Sequence, residues 1–106
     1  MIEHLKPVIK ELKARLNEVY RDRLANLVLF GSQARGDAVT GSDIDILVVL
    51  KGPVSAGKEI SRISGITSSL SLLYDVVISC TFVSDDRYKK EKSPLILNIH
   101  REGVQV

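Results

Sequence analysis

The 106-residue sequence has one cysteine, no tryptophan, three prolines and a net charge of only +2. Each shortage excludes something. A lone Cys80 forms no internal disulfide and supplies no cysteine-based zinc site. Aromatic residues make up 5% of the chain, too few for a platform on which RNA bases stack. Fifteen Lys and Arg stand against 13 Asp and Glu, which leaves no electrostatic footprint for nucleic acid or a membrane surface. Direct nucleic-acid binding is therefore not expected. No apolar run approaches the roughly 20 residues of a membrane span, and Met1-Ile2-Glu3-His4-Leu5-Lys6-Pro7 lacks the apolar stretch of a signal peptide. The expectation is a cytoplasmic protein without a membrane partner. His4 and His100 lie at opposite ends of the chain and lack a metal-ligand spacing.

What is present is 44% apolar and 26% charged residues, ordinary values for one packed domain over residues 1–106. Leu5, Ile9, Leu12, Leu16, Val19 and Tyr20 recur at helical spacing, which predicts an amphipathic helix over about residues 2–23. Residues 26–30 read as a buried strand stopped by Gly31, and 31–43 as a loop with room for one helical turn. Residues 44–50 are the most strand-like stretch, closed by Lys51-Gly52-Pro53. Apolar spacing predicts a helix over 55–73, whose serines and Gly65 make it a poor helix former without packing support. A third strand is expected to open at Asp75 and run through 79, with an extension to 83. Charged residues 84–92 read as a solvated segment, 94–101 as a short helix, and 104–106 as an edge strand. This order predicts an α+β, layered α/β domain with a mixed sheet of three to four strands packed against helices.

Three carboxylates carry the chemistry. Asp43 and Asp45 lie two apart at a strand entrance, so alternation puts both on one face, roughly 6–7 Å apart at Cα. If the strand after Asp75 is a neighbour, Asp75 joins them. Clustered carboxylates repel unless a cation neutralises them, and hard oxygen ligands without His or Cys favour Mg²⁺. Upstream, Gly31-Ser32-Gln33-Ala34-Arg35-Gly36 follows the first strand. Gly31 lets a ligand approach the backbone closely, a turn starting at Ser32 offers free N–H groups to a phosphate, and Arg35 is placed to pair with phosphate oxygens or with Asp37. A rival phosphate loop, Gly52-Pro53-Val54-Ser55-Ala56-Gly57-Lys58, has P-loop spacing, but Glu59 stands where that loop needs Ser or Thr for Mg²⁺.

Gly31-Ser32, ten intervening residues and Asp43-Ile44-Asp45, followed by a later strand carboxylate, resemble the motif of the DNA polymerase β-like nucleotidyltransferase superfamily. The fuller string, with Ser42 and the ending Ile99-His100-Arg101-Glu102-Gly103-Val104, is similar to its smallest members, the minimal nucleotidyltransferases. Many of these are antitoxin halves of pairs whose toxin is a HEPN-domain ribonuclease. The resemblance implies a single minimal nucleotidyltransferase domain in which Asp43, Asp45 and Asp75 hold two Mg²⁺ ions, with Asp75 as base. It implies that Gly31, Ser32 and Arg35 bind a nucleoside triphosphate, most readily ATP, as donor of AMP to a protein hydroxyl. Larger relatives continue into a helical substrate-binding domain, so a partner such as a HEPN toxin is expected to complete the site. The alternative is a non-catalytic module of the same fold that neutralises a partner by contact. A homo-oligomer stays open.

Overall fold

The computed structural model describes residues 2–39 and 41–106. Helix α1 (Lys6–Tyr20) is entered through a 3₁₀ turn at Ile2–Leu5 and left through another at Arg21–Arg23. Pro7 fits because the first turn needs no N–H from it. Val8, Ile9, Leu12, Leu16 and Tyr20 form its buried stripe. Strand β1 (Leu24–Phe30), the four-residue α2 (Ser32–Arg35) and strand β2 (Ile44–Leu50) follow, then α3 (Ala56–Tyr74), β3 (Ile78–Ser84), α4 (Asp85–Lys90), α5 (Pro94–Glu102) and β4 (Val104–Gln105).

The strands form one mixed sheet in the order β3-β2-β1-β4. β2 runs antiparallel to β1 and parallel to β3, and β4 runs antiparallel to β1. β2 is buried on both faces. Ile44, Ile46, Val48 and Leu50 meet α1 and α3 with Leu27, Leu29, Ile63, Leu70 and Phe82, while Leu47 and Val49 meet Val28, Val83, Ile96 and Ile99. Fully burying each such side chain stabilises the fold by about 1.5–3 kcal/mol. This burial explains why α3 forms despite its serines. No described helix is long and apolar enough to cross a membrane.

Two expectations change, and the doubt about the rival phosphate loop is upheld. Asp75 does not open the third strand. It is the C-cap of α3 in the left-handed region, φ +53°, and the Val76 N–H donates to the Ser71 carbonyl, so the helix closes there and β3 begins three residues later. Residues 85–90 are a helix rather than a loop, because Ser84 Oγ accepts from the Arg87 N–H and Lys90–Asp86 adds an i,i+4 pair. The rival phosphate loop is a structural turn. Arg23 donates to the carbonyls of Lys51 and Pro53, and Glu59 is only 4% exposed, its carboxylate accepting from Tyr20 Oη at 2.8 Å and Arg62 Nε at 2.9 Å.

Gly103 is required where α5 turns back to the sheet. A Cβ there would lie 2.5 Å from the Ile99 carbonyl oxygen and 2.6 Å from Val28 Cγ1. β4 can then pair with Val28 and Leu29, as the expected edge strand does.

Candidate active site

The first strand ends at Phe30, opposite Asp45 of β2. Gly31 then turns the chain with φ +75° and ψ −157°, a conformation open essentially to glycine alone. Its lack of a side chain matters twice, because a Cβ at Gly31 would lie 2.5 Å from Asp45 Oδ2. The Gly31 carbonyl accepts from the N–H groups of Ala34 and Arg35, both at 3.1 Å, which winds α2 directly beside the carboxylate. No side chain caps the first turn of α2.

Asp45 is half-buried and Asp43 exposed, with buried Ile44 between them pointing into the α1–α3 layer. Both carboxylates therefore leave the sheet on the face shared with Phe30 and Ser79. Burial pushes the Asp45 carboxyl up and the Asp43 charge pushes it further, while Arg35 offsets part of the effect. Arg35 itself is held by Asp37, Nε to Oδ2 3.2 Å, and by Glu102, Nη1 to Oε2 3.7 Å.

Asp75 does not join this pair. Among the described residues no three His, Cys, Asp or Glu side chains come together as a metal site. Its left-handed position keeps it off β3, and the register sets Ser79 beside Asp45 instead. Asp75 lines a cleft of about 640 Å³ with Gln33, Val76, Val77 and the two residues that flank Asp43, Ser42 and Ile44.

Gln33 was not singled out by sequence reasoning. It is 5% exposed, its Nε2 donates to the Ser42 carbonyl at 3.3 Å, and its Oε1 has no partner among the described residues. Its bond ties α2 to the residue that precedes Asp43. Ser79 and Glu102 also gained their places only through strand register and the α5 fold-back, which carry no local signal.

A divalent cation fits the Asp43–Asp45 pair. The donors are all carboxylate oxygens, and their like charges and the burial of Asp45 are relieved by positive charge, while Gly31 lets the Asp45 carboxylate pack directly against the turn. Mg²⁺ is ordinarily held by one or two carboxylates together with substrate phosphates. Together the turn, the carboxylate pair and the mixed sheet define a nucleotidyltransferase fold.

The comparisons agree. The nucleotidyltransferase domain family matches residues 8–102. A Methanocaldococcus jannaschii protein named "Putative protein adenylyltransferase MJ0141" is 38% identical over 100 residues, covering 93% of this chain and 95% of the relative. A second from that organism, "Putative protein adenylyltransferase MJ0604", is 39% identical over 83 residues, 78% of this chain and 77% of the relative. Among solved structures, a "putative nucleotidyltransferase from Sulfolobus solfataricus" superposes with TM-score 0.61 at 21% identity, covering 99% of this chain and 78% of that one. A toxin–antitoxin with AMP-PNP gives 0.60 at 22%, covering 87% and 67%. The chain belongs to the nucleotidyltransferase domain family and is a nucleotidyltransferase.

Proposed function

We propose that residues 1–106 act as a single minimal domain that transfers AMP from ATP to a hydroxyl of a partner protein, and that the partner is a HEPN-type toxin. The observation that carries the reading is the Asp43–Asp45 pair set against Gly31, in a chain whose relatives bear the name protein adenylyltransferase. The similarity in fold to toxin–antitoxin structures supports the choice of partner. The setting in this reading is cytoplasmic.

Asp43 and Asp45 would hold Mg²⁺, which supplies charge neutralisation at the phosphates and lowers the acceptor hydroxyl's pKa. One ion fits this two-carboxylate set, and the second ion expected from the resemblance finds no three-carboxylate group among the described residues. Gly31 and Ser32 let the triphosphate lie against backbone, and Arg35 adds positive charge beside it. The acceptor oxygen forms a bond to the α-phosphorus as the α–β anhydride bond breaks and pyrophosphate leaves. Asp75, exposed in the cleft beside Ser42, takes the hydroxyl proton.

One observation favours the contact-neutralising alternative, namely that Asp75 stands apart from the pair. Incubation with the partner toxin, Mg²⁺ and ATP labelled at the α-phosphate separates the two. Label on the toxin, lost with Asp43→Asn, supports transfer. Full neutralisation by Asp43→Asn without label overturns it in favour of contact.

A further inference from the structure

Gln33 is a polar residue in a position where an apolar one would pack. It is the second residue of α2, is only 5% exposed, and lines the cleft of about 640 Å³ that also holds Asp75. Buried side-chain amides are normally hydrogen-bonded at both ends, and an unpaired end is costly. The Gln33 amide is paired at one end alone. Its Nε2 donates to the Ser42 carbonyl, and because a carbonyl can only accept, that bond fixes which end of the amide is oxygen. Oε1 has no partner among the described residues. An apolar side chain of similar size would fill the space without leaving a buried oxygen unpaired. Such an oxygen is expected where the partner is a bound molecule.

The cleft narrows the choice of molecule. Beside Gln33 Oε1 it presents the exposed Asp75 carboxylate, a second acceptor, while the Ser42 hydroxyl already accepts from the Val39 N–H. Among the described residues no Lys or Arg lines it, and His4 alone could bring positive charge. Much of the remaining wall is apolar, with Val39 and Val77 as much as 76% and 56% exposed. A nucleic-acid end would bring phosphates to a wall that has an aspartate and no Lys or Arg to receive them. A polypeptide brings apolar surface, no phosphate, and a main-chain N–H at every residue except proline. The hydroxyl has one proton, which passes to Asp75, so Gln33 needs a second donor from the same molecule. The N–H beside the hydroxyl-bearing residue supplies it.

We propose that Gln33 determines specificity for the acceptor, its Oε1 receiving a main-chain N–H of the polypeptide segment that carries the hydroxyl. This rests on the reading of the protein as a transferase to protein hydroxyls. It assigns the cleft to the acceptor segment, and it makes a free main-chain N–H a requirement on that segment.

Two variants separate recognition from the tie to Ser42. Gln33→Met fills similar space and loses both ends of the amide, whereas Gln33→Glu loses the donor and keeps an acceptor oxygen. In transfer of α-label to the partner toxin at saturating Mg²⁺, Gln33→Met should raise the KM for toxin about tenfold or more and leave the KM for ATP within about twofold. Gln33→Glu should raise the KM for toxin by about threefold or less. Equal damage from both variants, or an unchanged KM for toxin in Gln33→Met, overturns the proposal. Circular dichroism checks that each variant is folded.

If the parent protein puts no label on the toxin, the transferase reading has failed, and a measurement without turnover decides the role of Gln33. The same measurement decides if either variant fails to fold. The chain has two glutamines, Gln33 and Gln105, so ¹³C-glutamine labelling gives two side-chain carbonyl signals, with Gln105 as the internal control. N-acetylserine N-methylamide should move the Gln33 carbonyl signal saturably. The same compound methylated at both amide nitrogens, which has no N–H, should not. Equal responses to the two compounds, or no response to either, overturn the proposal.

Discussion

Replacing Gly31 with alanine strains the site in two separable ways. The backbone at φ +75°, ψ −157° lies in a region that side chains avoid, at a cost of about 1–3 kcal/mol. The new Cβ also falls 2.5 Å from Asp45 Oδ2, where ordinary contact begins at 3.4 Å. Asp45 must rotate off its rotamer to relieve it, which adds about 0.5–1.5 kcal/mol. Together the loss is about 2–4 kcal/mol from a total that for domains of this kind is about 5–15 kcal/mol. Urea unfolding of Gly31→Ala, Asp45→Ala and the double variant separates the parts. Removing the Asp45 carboxylate relieves the contact but not the backbone strain, so the cycle should return a coupling of about 1 kcal/mol with most of the loss remaining. A Gly31→Ala protein within about 0.5 kcal/mol of the parent, or a cycle that adds within that margin, would refute the reasoning.

Mg²⁺ at about 100 times its dissociation constant should stabilise the protein by about 2.7 kcal/mol, read as a rise in melting temperature that Asp45→Asn abolishes. Without the cation, the raised Asp45 carboxyl costs stability that is absent below its ordinary pKa of 3.8 and grows as pH rises through the raised value. Asp45→Asn should therefore be the more stable protein at pH 7 and lose that advantage in acid, as urea titrations at several pH values would reveal. Glu59 behaves oppositely. Burial pushes its carboxyl up, but the hydrogen bonds from Tyr20 and Arg62 and the charges of Arg62 and Arg23 outweigh burial and hold it below the ordinary 4.5. Its contribution is present above that pH and lost as pH falls through the lowered value, so Glu59→Gln should cost roughly 1–3 kcal/mol at pH 7 and progressively less in acid. Burial pushes the Cys80 thiol up to about 12, so iodoacetamide at pH 8 should label it far more slowly in the native chain than in urea.

Where side-chain pattern and burial coincide, the sequence reveals the fold. Residues 44–50 form β2 with the expected bounds, since an apolar run between Asp43 and Lys51 has only one way to be buried on both faces. The α2 turn and the facing of Asp43 and Asp45 follow from alternation and the Gly31 stop. Asp75 was misplaced for a specific reason. Val76-Val77-Ile78 looks like strand, yet the helix ends on a left-handed aspartate rather than a glycine, and Val77 remains 56% exposed. The charged run after Ser84 became α4 through a serine cap and ion pairs, whose worth depends on local geometry rather than on composition. Ser79 depends on which strands are neighbours and Gln33 on the loop that brings the Ser42 carbonyl to it, and no local pattern encodes either.

The carboxylate pair stands at the mouth of β2, whose Ile46–Leu50 stretch is entirely shielded from solvent. Central strands of this kind exchange their amide hydrogens only when the whole domain opens, whereas chain ends and small turns open on their own. Brief fraying at α5, β4 or the loop after α2 therefore leaves Asp45 where it is. Asp43 and Arg35, by contrast, stand at exposed positions outside the strand, so cation affinity and activity should fall before the native state does, and only the Asp45 end of the site should follow the unfolding curve of the whole domain.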